Sequence, residues 1–178
     1  MIIGLTGSFG AGKGVVVDYL KTKGFKHYAA RDFITEEINR RNLPVNRDSM
    51  IEVANELRSE HGPAYIVEEL FKRAASSGRD AVIESLRAVA EVHKMKELGA
   101  VVIGVDADPE VRYRRIVSRG SETDHVSFEE WLAQEKKESN PDDPTKQDIF
   151  GALRESDSIV VNDGTVEELY QKIDKLLS

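Results

Sequence analysis

Gly7, Gly12 and Lys13 stand at the spacing G-x-x-x-x-G-K, with Gly14 where a serine or threonine hydroxyl is usual. Glycines in such a loop let the chain turn tightly and bring backbone N–H groups close to a phosphate that a Cβ would hold off. A helix that follows aims its free N–H groups and the positive end of its dipole at the same anion. Lys13 adds a mobile cation for the outer phosphates. The loop Gly7, Ser8, Phe9, Gly10, Ala11, Gly12, Lys13, Gly14 and Val15 is therefore the expected site of a nucleoside triphosphate.

Further groups fall at the ends of apolar runs. Glu84 closes the run 80–84 and is followed by Ser85-Leu86-Arg87. At the carboxyl end of a parallel strand, Glu84 and Arg87 face the crevice that holds the phosphate loop. A carboxylate there can hold Mg²⁺, directly or through water, and an arginine fork can grip a phosphate. Asp32 follows the run 25–29 and has two readings. It is either an acid that accepts a proton from, or orients, an attacking oxygen, or the N-cap of a helix over 32–42. Asp106 is a lesser magnesium candidate. Arg112, Arg115 and Arg119 share one helix face ahead of a polar stretch, and Arg115 and Arg119 are the two expected to neutralise triphosphate oxygens or stack on a base. His27, His61, His93 and His125 have no metal-ligand spacing, and Trp131 is expected to serve local packing.

The elements that position these groups follow from periodicity. Apolar, strand-like runs recur at 1–6, 25–29, 80–84, 100–106 and 157–161, separated by helical patterns, which predicts repeated βαβ units and a parallel sheet. Asp108-Pro109 opens a helix as cap and first residue. Ser127…Glu130 and Thr165…Glu168 are capping boxes, and the last helix carries Leu169, Ile173 and Leu176 on one stripe. Two stretches exceed a simple crossover. Residues 31–78 contain helical patterns over 32–42, 48–60 and 64–76; residues 119–156 hold one over 127–139 and a Pro141-Asp-Asp-Pro144 break. Insertions of this kind usually carry binding or lid functions. At 178 residues the chain is expected to be one domain. Its net charge of −7 argues against a nucleic-acid partner, and the absence of cysteine excludes a thiolate metal site or nucleophile. No apolar run approaches membrane-spanning length and a strand begins at residue 1, so no membrane contact and a cytoplasmic location are expected.

The loop Gly-Ser-Phe-Gly-Ala-Gly-Lys-Gly resembles that of adenylate kinases, which also carry Gly-Lys-Gly and hold magnesium largely through water and carboxylates. The rest of the chain is more similar to dephospho-CoA kinases and their uncharacterised nucleotide-kinase-like relatives. The resemblance lies in Gly4-Leu-Thr-Gly7, Ile83-Glu-Ser-Leu-Arg87, the segment Val105–Arg115 and Ile159-Val-Val-Asn-Asp-Gly164. It implies a three-layer α/β/α fold with parallel strand order 2-3-1-4-5 and transfer of the γ-phosphoryl of ATP-Mg²⁺ to a small nucleotide-like acceptor. It implies Asp32 and Arg87 on the acceptor side, Arg58 at the acceptor, Arg119 at the lid entrance, and Asn162 and Asp163 beside the adenine. The chain departs from the pattern at Ala30-Arg31-Asp32, which keeps one aspartate of two, at Thr35, at Val15, and at Gln134-Glu135-Lys136, where relatives often place an Arg-Asp pair. These departures leave a second reading, an ATP-binding switch without phosphoryl transfer. Monomer and homodimer both fit the sequence.

Overall fold

The computed structural model describes the backbone of residues 1–119, 127–137, 139 and 146–178, and the side chains of all of these but Arg47, Arg119 and Lys137. The chain begins β1 (Ile2–Gly7), α1 (Lys13–Thr22), β2 (Lys26–Ala29), α2 (Ala30–Arg40), α3 (Arg47–His61), α4 (Tyr65–Ser76) and β3 (Ala81–Leu86). It continues α5 (Val89–Glu97), β4 (Val101–Asp106), α6 (Pro109–Arg119), α7 (Phe128–Lys137), α8 (Ile149–Arg154), β5 (Ser158–Val161) and α9 (Val166–Leu177). The five strands form one parallel sheet in the order β2-β3-β1-β4-β5.

Strand alternation sorts the apolar side chains into two cores. Ile3 and Leu5 of β1, Val82 of β3 and Ile103 and Val105 of β4 turn to one face, where Val16, Val17 and Leu20 of α1 meet Leu169 and Ile173 of α9. Ala81, Ile83 and Val102 turn to the other, against Ile38 of α2, Leu57 of α3, Leu70 of α4, Val92 and Met95 of α5 and Ala152 of α8. Strands covered on both faces carry near-continuous apolar runs. Each fully buried Leu or Ile contributes about 1.5–3 kcal/mol, so the layers hold the strand ends firmly. The capping box at Thr165 and Glu168 starts α9 as its spacing predicts.

Three local features differ from the sequence expectations. The helix after β2 begins at Ala30, with Ala29 at the cap position, so Asp32 lies inside the first turn of α2 and is not its N-cap. Its charge there favours the helix through the dipole. β3 runs two residues past Glu84 through a bulge: Leu5 pairs with Glu84 and Thr6 with Leu86. The extra residue, Ser85, sits at φ 74, a left-handed conformation that costs about 1–3 kcal/mol in a non-glycine residue. Thr6 Oγ1 donates to Leu86 O at 2.8 Å and fastens the strand end. Finally, α8 was hidden within the polar stretch 119–156. It is six residues long, includes Gly151, and is capped by Asp148, whose carboxylate accepts from Gly151 N at 3.0 Å.

Candidate functional site

β1 lies between β3 and β4, so its carboxyl end is where the connections diverge to the two sides of the sheet. Ligands in open parallel sheets bind at such points. The loop leaving β1 is packed tightly by its own protein. A Cβ on Gly7, at φ 151, would stand 2.2 Å from Val105 O, and one on Gly12, at φ 100, would stand 2.5 Å from Asn162 Nδ2. Those two glycines are thus required by the neighbouring strand and the β5–α9 turn, a reason distinct from leaving room for a phosphate. Gly7→Ala is expected to destabilise the fold by about 2–6 kcal/mol, the sum of strain and overpacking. Urea denaturation followed by circular dichroism checks this.

Gly14 differs: a Cβ there would meet nothing within 4 Å. The N–H groups of Gly10, Gly12 and Gly14 have no backbone acceptor among the described residues. Lys13 Nζ arches back over the loop and donates to Gly7 O at 2.6 Å and Ser8 O at 2.9 Å. Ser8 is buried and donates from Oγ to Asp106 Oδ1 at 2.5 Å, and Ala107 N donates to the same oxygen at 2.9 Å. Asp106 therefore braces the loop. Asn162 is buried and donates to Ala11 O at 2.8 Å, while Asp163 Oδ1 accepts from Asp108 N at 2.6 Å. Both expected adenine-side residues serve to tie the β5–α9 turn to the loop and to the start of α6. Phe9 is half-exposed at the loop tip. Arg115 Nη1 is buried with no hydrogen-bond partner among the described residues, an orphaned donor of the kind an anionic ligand satisfies. The side chain of Arg119, like His125 and the Pro141–Pro144 break, lies outside the described residues.

On β3, Glu84 is mostly buried and receives His27 Nε2 at 2.9 Å. The two sit on the same face of neighbouring strands, since Ala29 pairs with Glu84 and His27 with Val82. The His27 hydrogen bond holds the Glu84 carboxyl below the usual carboxylate range against the opposing effect of burial, and the charges of Lys13 and Arg87 act in the same direction as His27. His27 is thus the direct partner of Glu84, with Lys13 and Arg87 adding charge from further off. Spacing along the chain assigns His27 no role because its partner is on another strand. Strand adjacency together with period two was the signal that could have found it.

The residues expected on the acceptor side divide into two groups. Glu91, buried in α5, accepts from Arg87 N at 2.7 Å and from Ala88 N at 3.3 Å, and lies 4.0 Å from Arg58 Nη2 of α3. Burial pushes the Glu91 carboxyl up, offset in part by the Arg87 N–H and the Arg58 charge. Glu91 therefore ties the backbone at Arg87 to the side chain of Arg58, and it too escaped the sequence analysis. The Arg87 side chain is exposed, 3.5 Å from Gln147 Oε1. Asp32 is exposed and opens onto a cleft of about 490 Å³ lined by His27, Tyr28, Phe33, Glu36 and Arg73. No direct contact joins Asp32 to Arg58 or Arg87 among the described residues.

Among the described side chains of α6, Arg112 is the most buried charged group. It pairs in bidentate fashion with Glu135 of α7, donates from Nε to Ala107 O at 3.0 Å and from Nη1 to Phe9 O at 3.3 Å. Its guanidinium lies 4.9 Å from the ring centroid of Trp131, which is buried and also packs against Phe128 and Tyr113. The expected packing role of Trp131 is what the structure shows. Among the described residues no cluster of three or more His, Asp or Glu could hold a metal, and no helix is long and apolar enough to cross a membrane.

Comparison with known proteins agrees with this architecture. Residues 3–141 match the model of a family described as AAA domain. A UPF0200 protein of Pyrobaculum aerophilum is 30% identical over 179 residues, spanning 99% of this chain and 96% of the relative. A UPF0200 protein of Pyrococcus abyssi is 29% identical, spanning 99% and 95%. A crystal structure from Thermus thermophilus superposes with a TM-score of 0.67 at 19% identity, covering 99% of this chain and 96% of that one. Shikimate kinase from Acinetobacter baumannii in complex with shikimate superposes with a TM-score of 0.59 at 17% identity, covering 99% and 92%. At these identities the structural likeness shows the fold, that of phosphate-loop kinases.

Proposed function

We propose, for a chain that belongs to the AAA-domain family and to the UPF0200 proteins, that it is an ATP-dependent phosphotransferase moving the γ-phosphoryl group to a small nucleotide-like acceptor. The observation that carries the reading is the convergence, at the carboxyl ends of β1 and β3, of the glycine loop, Lys13, Glu84 and Arg87, with the orphaned Arg115 Nη1 beyond it. Kinases among the structural neighbours support it.

The chain's own residues perform chemistry that is mostly positioning and charge neutralisation. Lys13 Nζ moves from the loop carbonyls to the outer phosphate oxygens. Free N–H groups of the loop and of the α1 terminus bind the phosphates, and Arg115 and Arg119 add charge from α6. Asp32 accepts or orients the proton of the attacking oxygen. Arg58, held near Glu91, and Arg87 grip the anionic part of the acceptor. The residues fit a magnesium ion: Glu84 is held ionised and the space beside Gly14 is open, so Glu84 would hold Mg²⁺, through water. The ion supplies neutralisation of phosphate charge. α2–α4 and the stretch 119–156 would cover the acceptor and exclude water, in one domain that acts as monomer or homodimer without nucleic acid or membrane.

Glu84→Gln is expected to raise the magnesium concentration needed for half-maximal transfer severalfold while metal-free ATP affinity stays within a few-fold. An unchanged magnesium titration would remove Glu84 from the metal site. The proposal as a whole is tested by incubating the protein with γ-labelled ATP, Mg²⁺, ribo- and deoxynucleoside monophosphates and dephospho-CoA. Label should appear in one acceptor; label in inorganic phosphate alone refutes the transfer.

A further inference from the structure

A buried arginine persists only where its charge is paired and its donors are used. Arg112, 3% exposed, uses them on three separate segments: Ala107 O in the β4–α6 turn, Phe9 O in the phosphate loop, and both oxygens of Glu135 in α7. The backbone of α6 lies against the same part of the loop, since a Cβ on Gly10 would stand 2.8 Å from Arg112 O. The contact at Phe9 O has a geometric consequence. The Phe9–Gly10 peptide is planar and trans, so its C=O and N–H point in opposite directions. Holding Phe9 O toward the Arg112 guanidinium therefore turns the Gly10 N–H away from that guanidinium, and the N–H has no backbone acceptor among the described residues.

We infer that the Arg112–Glu135 pair is the link through which α7 sets the phosphate loop, so that Glu135 is a positioning residue for nucleotide binding. It stands where the sequence analysis found a departure in the lid. Glu135 orients and neutralises the guanidinium, the guanidinium orients the Phe9–Gly10 peptide, and the peptide presents its N–H for a phosphate. By reciprocity, phosphate binding at the loop strengthens the seating of α7. Trp131, the one tryptophan of the chain, stacks on the same guanidinium and reports on it. The inference rests on the nucleotide-binding reading of the loop.

The experiment pairs calorimetry with tryptophan emission on the full-length chain. ATP-Mg²⁺ titrated into the wild-type protein should change Trp131 emission with the same Kd that calorimetry gives. Glu135→Gln, Arg112→Lys and the double variant should each bind ATP roughly tenfold more weakly. The double variant should be no worse than the weaker single one, because the two residues act as one unit. ATP binding by calorimetry with no change in Trp131 emission overturns the link without recourse to any variant. A Glu135→Gln protein with native circular dichroism and wild-type ATP affinity overturns it as well. Absence of ATP binding by the wild-type protein is the separate result that overturns the nucleotide reading, and the link with it.

Discussion

Lys13→Ala is expected to lower phosphoryl transfer by roughly 100- to 1,000-fold, the scale of removing one preorganised charged donor from a transition state. Lys13 Nζ rests on Gly7 O and Ser8 O, so it stands at the mouth of the loop before any ligand arrives. The phosphate charge that develops during transfer meets this cation at short range in a partly buried site, where it is screened less than in water. The fold should survive the change, because the side chain is only partly buried and its alkyl stem fills no core position. Initial rates of ADP release for the variant and the wild-type protein, with circular dichroism as the control, give the comparison. Near-normal turnover by folded Lys13→Ala would mean that the loop is not the donor site.

Asp32→Asn is expected to suppress transfer by roughly 100- to 10,000-fold, the range for loss of a positioned general base, while ATP affinity stays within a few-fold. The split follows from where Asp32 stands. It is exposed in the first turn of α2, on a cleft beside β2 whose lining includes no residue of the phosphate loop. The interaction it loses belongs to the acceptor and the transition state, so kcat falls and ATP binding does not. The lost helix-dipole contribution, about 0.3–1 kcal/mol, is too small to unfold the protein. Calorimetry with ATP alongside acceptor-dependent turnover measures both quantities, and equal loss of the two would assign Asp32 a structural role.

Much of the fold was legible because a parallel sheet buried on both faces leaves an unmistakable trace: the runs at 1–6, 80–84 and 100–106 became β1, β3 and β4 with ends shifted by a residue or two. The shift at β3 had a physical cause, a bulge at Ser85 that no local propensity announces. α8 was missed because six residues around a glycine carry too little periodicity. The phosphate loop was legible as a motif, yet the reasons for Gly7 and Gly12 were not, since they lie in Val105 O and Asn162, about 100 and 150 positions along the chain. The same holds for His27 with Glu84, Arg58 with Glu91 and Arg112 with Glu135. Each pair joins groups on different elements, and only the packing of those elements brings them within reach. Residue type pointed to the chemistry; partnership had to wait for tertiary structure.

The most direct measurement of the central claim is ADP release by the wild-type protein with ATP-Mg²⁺, with and without each member of a panel of ribo- and deoxynucleoside monophosphates and dephospho-CoA. A phosphotransferase predicts that at least one acceptor raises ADP release well above the water-only rate and that Lys13→Ala abolishes the increase. Saturable ATP binding by calorimetry, with no acceptor raising ADP release above that of water, would contradict the account and leave a nucleotide-binding switch in its place.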